Sequence, residues 1–311
     1  MGRLLGHSYI RPIGLLAAVI VGFVVVDWGQ SRFLSAATLA SALETFATIG
    51  MVALGLGVTM IMREFDLSVA GVFGMAGCIA VMTGATYPLL GVVIAVAIGA
   101  AGGAAQGYIV DRLGLSSIGV TLGGLLISIG LAYVLTRSTA IAYDNLDVAL
   151  SMSNRYLGVF SIRSLLALAL FAAAGLVIGL TRIGRDVIAA GSNRQAAIVA
   201  GVNVRGLLIG AFAFSGALAA LGGALLSYSL ASASPTALSD VLVPAAAAAI
   251  IGGVSLAGGS GRPFGIACGV LVLAVLRAGF NAIGAEPWVS EVSTALILLA
   301  VALLDAPLLL K

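Results

Sequence analysis

The sequence predicts an all-α membrane protein of about ten transmembrane helices. Of its 311 residues, 61% are hydrophobic and only 9% are charged, whereas about a quarter of the residues in a soluble domain are charged. Apolar runs long enough to cross a hydrocarbon layer of about 30 Å recur along the whole chain, with short polar stretches between them. These runs are continuously apolar and lack the alternating polarity of transmembrane β-strands, so helices are expected.

Ten apolar runs are predicted to span the membrane. They lie approximately at residues 13–26, 37–62, 67–87, 89–110, 118–135, 159–180, 207–228, 241–256, 263–283 and 289–304. The first run follows basic residues, as in a secretory signal, but it meets no small-residue cleavage site and ends at the interfacial residues Asp27 and Trp28. We therefore expect an uncleaved first helix.

The distribution of basic residues predicts that the N and C termini are both cytoplasmic. In that orientation the inner side holds Arg3, Arg11, Arg63, Arg112, Arg182, Arg185, Arg194, Arg205, Arg262 and Lys311. The outer side holds only Arg32, Arg137, Arg155 and Arg163, and Arg277 falls within the ninth span. This inward excess follows the positive-inside rule.

We expect a single transmembrane domain over residues 1–311. Residues 1–36 hold the N-terminal tail, first helix and an outer loop, residues 37–181 hold helices two to six, and residues 207–311 hold helices seven to ten and the C-terminal tail. Residues 182–206 form the largest polar cytoplasmic loop.

Small residues lie inside the spans, where they suit close packing. Gly99, Gly103 and Gly107 form a row on one helix face, and Gly119 with Gly123 repeats the spacing of four. Such rows let helix backbones approach each other. The isolated cysteines, Cys78 and Cys268, are likewise interpreted as packing residues.

The polar cytoplasmic loop encodes a short helix of its own. Ser192 and Gln195 have the spacing of a reciprocal capping box, and Gly201 suits the left-handed turn that ends a helix. The helix between them, residues 193–200, presents a small apolar face that includes Ala196 and Ala197. This face favours docking into a groove of another protein, because it lacks the large anchors of a membrane-surface helix, which is the alternative.

Two short breaks between apolar runs resemble each other. One contains Asp66 and Ser68, and the other contains Ser255. Interrupted helices of this kind often lie beside a solute path, although ordinary cytoplasmic turns have the same pattern. Asp66 and Ser68 either cap a helix start or shape an inner gate.

Three polar residues within the spans are candidates for a solute path: Glu44, Arg277 and Asn281. A glutamate in lipid is costly unless it is paired or hydrated, so Glu44 either lines a cavity or reaches the interface. Arg277 and Asn281 share a helix face, and snorkelling of the arginine is the alternative. The outer loop at 136–158 is a candidate docking surface, with charged residues Arg137, Asp144, Asp147 and Arg155.

The chain lacks the residues for nucleotide hydrolysis or for common forms of enzyme catalysis. No phosphate-binding loop of the form G-x-x-x-x-G-K-[ST] occurs, so nucleotide hydrolysis must come from another chain. The only histidine is His7 in the N-terminal tail, which argues against a Ser-His-Asp site and against a histidine-ligated metal. The formal charge of +3 is too small to indicate nucleic-acid binding.

Several ordered motifs resemble the permease subunits of ribose-type sugar ABC importers. They are REFDLSVAGVFG at 63–74, GRDVIAAGSNRQAAIVAGVNV at 184–204, FSGALAALGGALL at 214–226 and IIGGVSLAGGSGRPFGIACGVLVLAVLRAGFN at 250–281. The resemblance implies a type II importer permease fold and a coupling segment that seats on an ATPase. The matching coupling residues are Gly191, Ser192, Asn193, Arg194, Gln195, Ala196, Ala197 and Gly201.

This resemblance implies the channel subunit of an importer in a bacterial inner membrane, passing a pentose, hexose or related polyol to the cytoplasm. The expected partners are a second permease copy or a homologous permease, two cytoplasmic ATPase domains and a periplasmic solute-binding protein. No cofactor is expected on this chain, because ATP and Mg belong to the ATPase. The alternatives are an ion-coupled secondary transporter, using Glu44 or Asp66, and an intramembrane enzyme, for which no nucleophile and base pair is evident.

The chain departs from the family pattern at one junction. Arg63 and Glu64 precede the D-L-S motif where glycine is common in the family, and Ala70 stands where glycine is usual. These departures leave the flexibility of the backbone at this junction in question.

Overall fold

The computed structural model describes residues 2–235 and 239–309, and nearly all of them are helical. Over this part of the chain the α-helices are α1 Gly2–Val26, α2 Ala36–Ile61, α3 Val69–Thr83, α4 Pro88–Leu113, α5 Ser117–Thr136, α6 Leu146–Ser153, α7 Ile162–Leu180, α8 Arg182–Ser192, α9 Arg194–Val199, α10 Val204–Ser229, α11 Leu242–Ile251, α12 Pro263–Ala282 and α13 Pro287–Leu309. One short antiparallel pairing joins β1 Ile141–Ala142 to β2 Ser232–Ala233. Lys311 lies outside the described residues.

Six of the described helices are long and apolar enough to cross a membrane: α2, α4, α5, α7, α10 and α12. The other four predicted spans coincide with shorter apolar helices, at Arg11–Val26, Val69–Thr83, Leu242–Ile251 and Pro287–Val301. The eighth prediction, 241–256, was too long, because the helix ends at Ile251 and Gly253 adopts a positive φ of 87°. The all-helical, multi-pass class is therefore supported, whereas the number of crossings and the location of the ends remain predictions.

The centre of the bundle is formed by α2, α10 and α12, which are mostly buried. Helix α2 packs against α10, α11, α12 and α7, while α10 also contacts α3 and α4. The peripheral helices α4, α5 and α7 have few fully buried residues. On α5 the buried positions include Ser117, Thr121 and Ser128, whereas Leu126 and Ile127 are exposed. This polar-inside pattern suits a helix whose outer face meets lipid.

Close approach of α4 and α10 depends on the predicted glycine row. A Cβ on Gly103 would overlap the backbone carbonyl oxygen of Phe212, and one on Gly99 would lie 2.5 Å from that of Gly216. The packing role of this row is confirmed. The expectation for Gly119 and Gly123 was wrong within the described chain, because nothing lies within 4 Å of a Cβ at either position.

Loops gather at two opposite ends of the bundle. One end, here called the basic face, holds the α2–α3 break, the end of α4, the α8–α9 segment and the α11–α12 loop, and it includes Arg63, Arg194 and Arg205. At the other end the rings of Tyr143 and Tyr228 stack with centroids 4.4 Å apart. Their hydroxyl groups donate to Gly84 and Ala80 carbonyl oxygens at 3.0 Å each, so the tyrosines fix the α3–α4 turn.

Candidate functional site

The α2–α3 break holds a buried cluster of polar side chains. One carboxylate oxygen of Asp66 accepts from the backbone N–H of Ser68 at 3.0 Å and from its hydroxyl at 2.6 Å. The other accepts from the Ser215 hydroxyl of α10 at 2.7 Å. The Gln106 amide of α4 donates to the Ser68 hydroxyl at 3.1 Å. Asp66 therefore joins the start of α3 to α4 and α10.

Helix α5 satisfies the open backbone of the same break. The N–H of Phe65 donates to the Ser117 hydroxyl at 3.2 Å, and the N–H of Leu67 donates to the Thr121 hydroxyl at 3.1 Å. Ser68 occupies the N-cap position of α3, but its side chain makes no capping hydrogen bond. The predicted cap is therefore made by Asp66, which accepts from the Ser68 N–H, and not by the Ser68 hydroxyl, while α5 holds the rest of the break through tertiary contacts.

Replacing Asp66 with alanine should destabilise the protein strongly. The substitution removes three hydrogen bonds to a carboxylate, each contributing about 1.5–3 kcal/mol, so we expect the free energy of unfolding to fall by roughly 4 kcal/mol or more. Unfolding in detergent, followed by circular dichroism, measures the change. Asp144→Ala is the matched control because Asp144 is exposed. Equal stability of the two variants would contradict a structural role for the Asp66 cluster.

The second break follows α11, and Ser255 makes a local contact there instead of lining a solute path. The Ser255 hydroxyl accepts from the Ala257 N–H at 3.1 Å, which closes a local turn. Its neighbours contact the end of α2 instead: the Gly259 N–H donates to the Ile61 carbonyl oxygen at 2.8 Å, and the Arg63 side chain donates to the Ala257 carbonyl oxygen. The two breaks that resemble each other in sequence are therefore in direct contact.

Arg63 takes the conformation that glycine usually takes at a helix end. Its φ is +67°, and the N–H of Glu64 donates to the Thr59 carbonyl oxygen at 3.0 Å, as expected where a helix ends in a left-handed residue. A side chain in this region costs roughly 1–2 kcal/mol. Arg63 therefore forms the left-handed turn without glycine, and its contact with Ala257 offsets part of the cost.

The predicted short helix exists as α9, but its cap was assigned to the wrong residue. Ser192 ends α8, where its hydroxyl donates to the Ile188 carbonyl oxygen at 2.8 Å. Asn193 is the N-cap of α9 and accepts from the Ala196 N–H at 3.0 Å, so no capping box forms between Ser192 and Gln195. Gly201 ends the helix with a φ of +83°, as predicted.

Only part of the predicted apolar face of α9 points outward. Ala197 is 4% exposed, whereas Val199 is 82% exposed and Ile198 is 50% exposed. Gln195 and Ala196 are also exposed. A docking surface on this segment therefore consists of Gln195, Ala196, Ile198 and Val199, and Ala197 packs inward.

A chain of ion pairs ties α9 to neighbouring elements. The Arg194 guanidinium lies 3.4 Å from a Glu64 carboxylate oxygen and 2.9 Å from one of Asp111, at the end of α4. Arg205 of α10 lies 3.4 Å from the other Asp111 oxygen. Burial raises the pKa of Glu64, while its hydrogen bond with Ser117 and the positive charge of Arg194 oppose that rise. Arg194 therefore offsets part of the cost of burying the Glu64 carboxyl group.

Glu44 is paired with an arginine that the sequence interpretation assigned to the outer side without a functional role. The Arg163 guanidinium of α7 lies 2.9 Å from the Glu44 carboxylate, and it also donates to the hydroxyl groups of Thr48 at 2.6 Å and Ser229 at 2.9 Å. Arg163 is 5% exposed. In the sequence, the only sign of this pair was that two apolar runs hold residues of opposite charge, Arg163 in one and Glu44 in the other.

The remaining candidate residues are not brought together. Arg277 pairs with Glu291 of α13 at 2.6 Å and is partly exposed, and Asn281 is exposed. In the outer loop Asp144 and Asp147 line one shallow depression with Asn145, whose amide donates to the Ala85 carbonyl oxygen at 3.0 Å. Arg137 and Arg155, from the same loop, are exposed.

The fold and the polar contacts define a class of protein. Long apolar helices expose apolar side chains around a core in which polar side chains pair with one another. Two helix breaks meet at one end, beside a short amphiphilic helix. These features are typical of a multi-pass membrane permease.

Comparison with known proteins places the chain within that class. Residues 38–302 match the profile of the family described as branched-chain amino acid transport system / permease component, and the chain belongs to this family. The ribose import permease protein of Escherichia coli (strain K12) is 30% identical over 93% of this chain and 92% of its own length. The resemblance to ribose-type sugar ABC permeases is thereby confirmed.

Permeases named for other sugars are equally similar. The fructose import permease protein of Rhizobium meliloti is 30% identical over 94% of this chain and 84% of its own length. The galactose/methyl galactoside import permease protein of Escherichia coli (strain K12) is 30% identical over 95% of this chain and 94% of its own length. No solved structure matches the chain with statistical significance.

Proposed function

We propose that this chain is the channel subunit of an ATP-driven importer that carries a small carbohydrate across a bacterial inner membrane. The observation that carries the proposal is the match over residues 38–302, together with relatives named as permeases for ribose, fructose and galactose. The family's description refers to branched-chain amino acids. The sugar assignment rests on the relatives, and a pentose, hexose or related polyol is the proposed solute.

The energy source is proposed to be a pair of cytoplasmic ATPase domains that dock on α9. Val199 and Ile198 are apolar and exposed at the basic face, where the distribution of basic residues predicts cytoplasm. An apolar helix face is stable when it lies in a groove of a partner protein. ATP and Mg would be held by that partner, and a second permease copy or a homologous permease would complete the channel.

The solute would come from a periplasmic binding protein on the opposite end of the bundle. Arg137, Asp144, Asp147 and Arg155 are exposed in the outer loop, and charged rims steer such encounters. The gate is proposed at the Asp66 and Ser68 break, where α3, α4 and α10 meet. Glu44 and Arg277 form ion pairs, the Ser255 hydroxyl closes a local turn and Asn281 is exposed. We therefore assign the gate to the Asp66 cluster, which connects three helices.

Reconstituted transport tests the proposal against ion-coupled transport. The chain is placed in proteoliposomes with an ATPase and a solute-binding protein from the same organism, and uptake of labelled ribose, fructose, galactose and leucine is measured. We expect sugar uptake that requires both ATP and the binding protein. Uptake by the chain alone, driven by a sodium or proton gradient, would contradict the proposal and favour a secondary transporter.

A charged side chain on the exposed face of α9 should prevent ATPase binding. Val199→Glu places a carboxylate in the proposed apolar contact, and burying an unpaired charge costs several kcal/mol, so we expect co-purification of the ATPase to fall at least about tenfold. Leu157→Glu is the control because it changes an equally exposed apolar residue at the opposite end. Unchanged ATPase binding by Val199→Glu, measured by pull-down in detergent, would contradict docking on this face.

A further inference from the structure

The α8–α9 segment meets both helix breaks at a point where the backbones touch. A Cβ on Gly191 would overlap the Ile61 carbonyl oxygen at the end of α2 and would lie 2.8 Å from the Gly259 nitrogen. The Gly259 N–H itself donates to the same Ile61 oxygen at 2.8 Å. We call this contact of Gly191, Ile61 and Gly259 the junction. Because no side chain separates the three backbones, none of them can move far without the others.

Two further contacts reinforce the junction. Arg63, next to α2, donates to the Ala257 carbonyl oxygen in the α11–α12 loop. Arg194 of α9 reaches Glu64 in the α2–α3 break and Asp111 at the end of α4. Glu64 is two residues before Asp66, whose carboxylate binds α10 through Ser215. The short helix is therefore connected to the buried polar cluster through one ion pair and a short stretch of backbone.

We propose that the junction and the Arg194 ion pairs make α9 and the two breaks one rigid unit, so that displacement of α9 moves both breaks together. This inference rests on the proposed function, because it assigns the route by which ATPase movement reaches the gate. Arg194 acts here as a positioning residue, since its contacts are with protein groups. Because Arg194 is partly exposed, its ion pairs contribute little stability by themselves, so their effect is expected in coupling rather than in folding.

A covalent cross-link across the ion pair tests the rigid unit. In the full complex with ATPase and binding protein, Glu64→Cys and Arg194→Cys are combined and joined with a short bismaleimide, while wild type controls for the buried Cys78 and Cys268. We expect the unlinked variant to transport about two- to fivefold less solute per ATP, the range set by an exposed ion pair. Cross-linking should restore the ratio. A linked complex that still hydrolyses ATP but stops transporting, or whose ratio stays low, would overturn the inference.

The backbone junction is tested separately. Gly191→Val should lower transport per ATP at least about tenfold, because the side chain has to push Ile61 and Gly259 apart. Gly210→Val is the matched control, since nothing lies within 4 Å of a Cβ there. Unchanged transport per ATP in Gly191→Val would overturn the junction, and if this variant fails to fold, the cross-link decides. Failure of the wild-type chain to bind any ATPase would instead remove the proposed function itself.

Discussion

Gly103→Val should abolish folding of the bundle. A valine side chain at this position overlaps the Phe212 backbone of α10, and a backbone cannot be repacked as a side chain can. Helices α4 and α10 would have to separate along a contact that includes Gly99 and Gly107. Overpacking of a close interface costs about 1–3 kcal/mol, and more where the backbone must shift. We therefore expect little monodisperse protein in fluorescence-detected size exclusion.

The neighbouring glycine supplies the control for this experiment. Gly102 lies on the same helix, and nothing is within 4 Å of a Cβ at that position. Gly102→Val adds the same side chain to the same helix, so its effects on insertion and helix propensity are shared. A yield from Gly103→Val that equals the yield from Gly102→Val would contradict the close contact of α4 with α10.

Glu44→Leu should destabilise the protein almost as strongly. It leaves the Arg163 guanidinium buried with only the Thr48 and Ser229 hydroxyl groups as partners. Removing one partner of a buried ion pair costs about 3–5 kcal/mol, because the remaining charge is uncompensated. Thermal unfolding in detergent should show a large loss of stability. Function would fail for the same reason, without any contact between Glu44 and the solute.

Removing both charges separates pairing from other roles of these residues. In the double variant Glu44→Leu with Arg163→Met, no charge is left unpaired, and replacement of a buried pair by apolar residues is often neutral. We expect the double variant to be more stable than Glu44→Leu alone. If transport is lost in the double variant although stability returns, the pair acts on the solute as well as on the fold.

The sequence predicted the long helices well and the short helix less well. The apolar runs located every long helix, since lipid-crossing segments need a continuous apolar stretch that is visible locally. The short α9 helix was predicted from its capping pattern and from Gly201, but its cap was misplaced by one residue. Ser192 and Asn193 are both good capping residues. Ser192 does not cap α9 because it still belongs to α8, where its hydroxyl donates to the Ile188 carbonyl oxygen. The capping spacing alone did not indicate that α8 extends this far.

Partners across the bundle could not be predicted from the same information. Asp66 and Ser215 are 149 positions apart, and Arg163 and Glu44 are 119 apart. Glu44 and Asp66 looked costly in isolation, which is why they were candidates for a solute path. The structure shows that both are satisfied by protein groups, so cost alone did not distinguish a path from an internal contact.

The sequence by itself determined that this chain is a membrane permease of the ribose-type importer family, because hydropathy and ordered motifs are properties of neighbouring residues. Only the tertiary structure decided which polar residues meet, that Ala197 points inward, and that Gly191 touches both helix breaks. Those facts depend on how helices distant in sequence pack, and packing is determined by many weak contacts at once rather than by any local pattern.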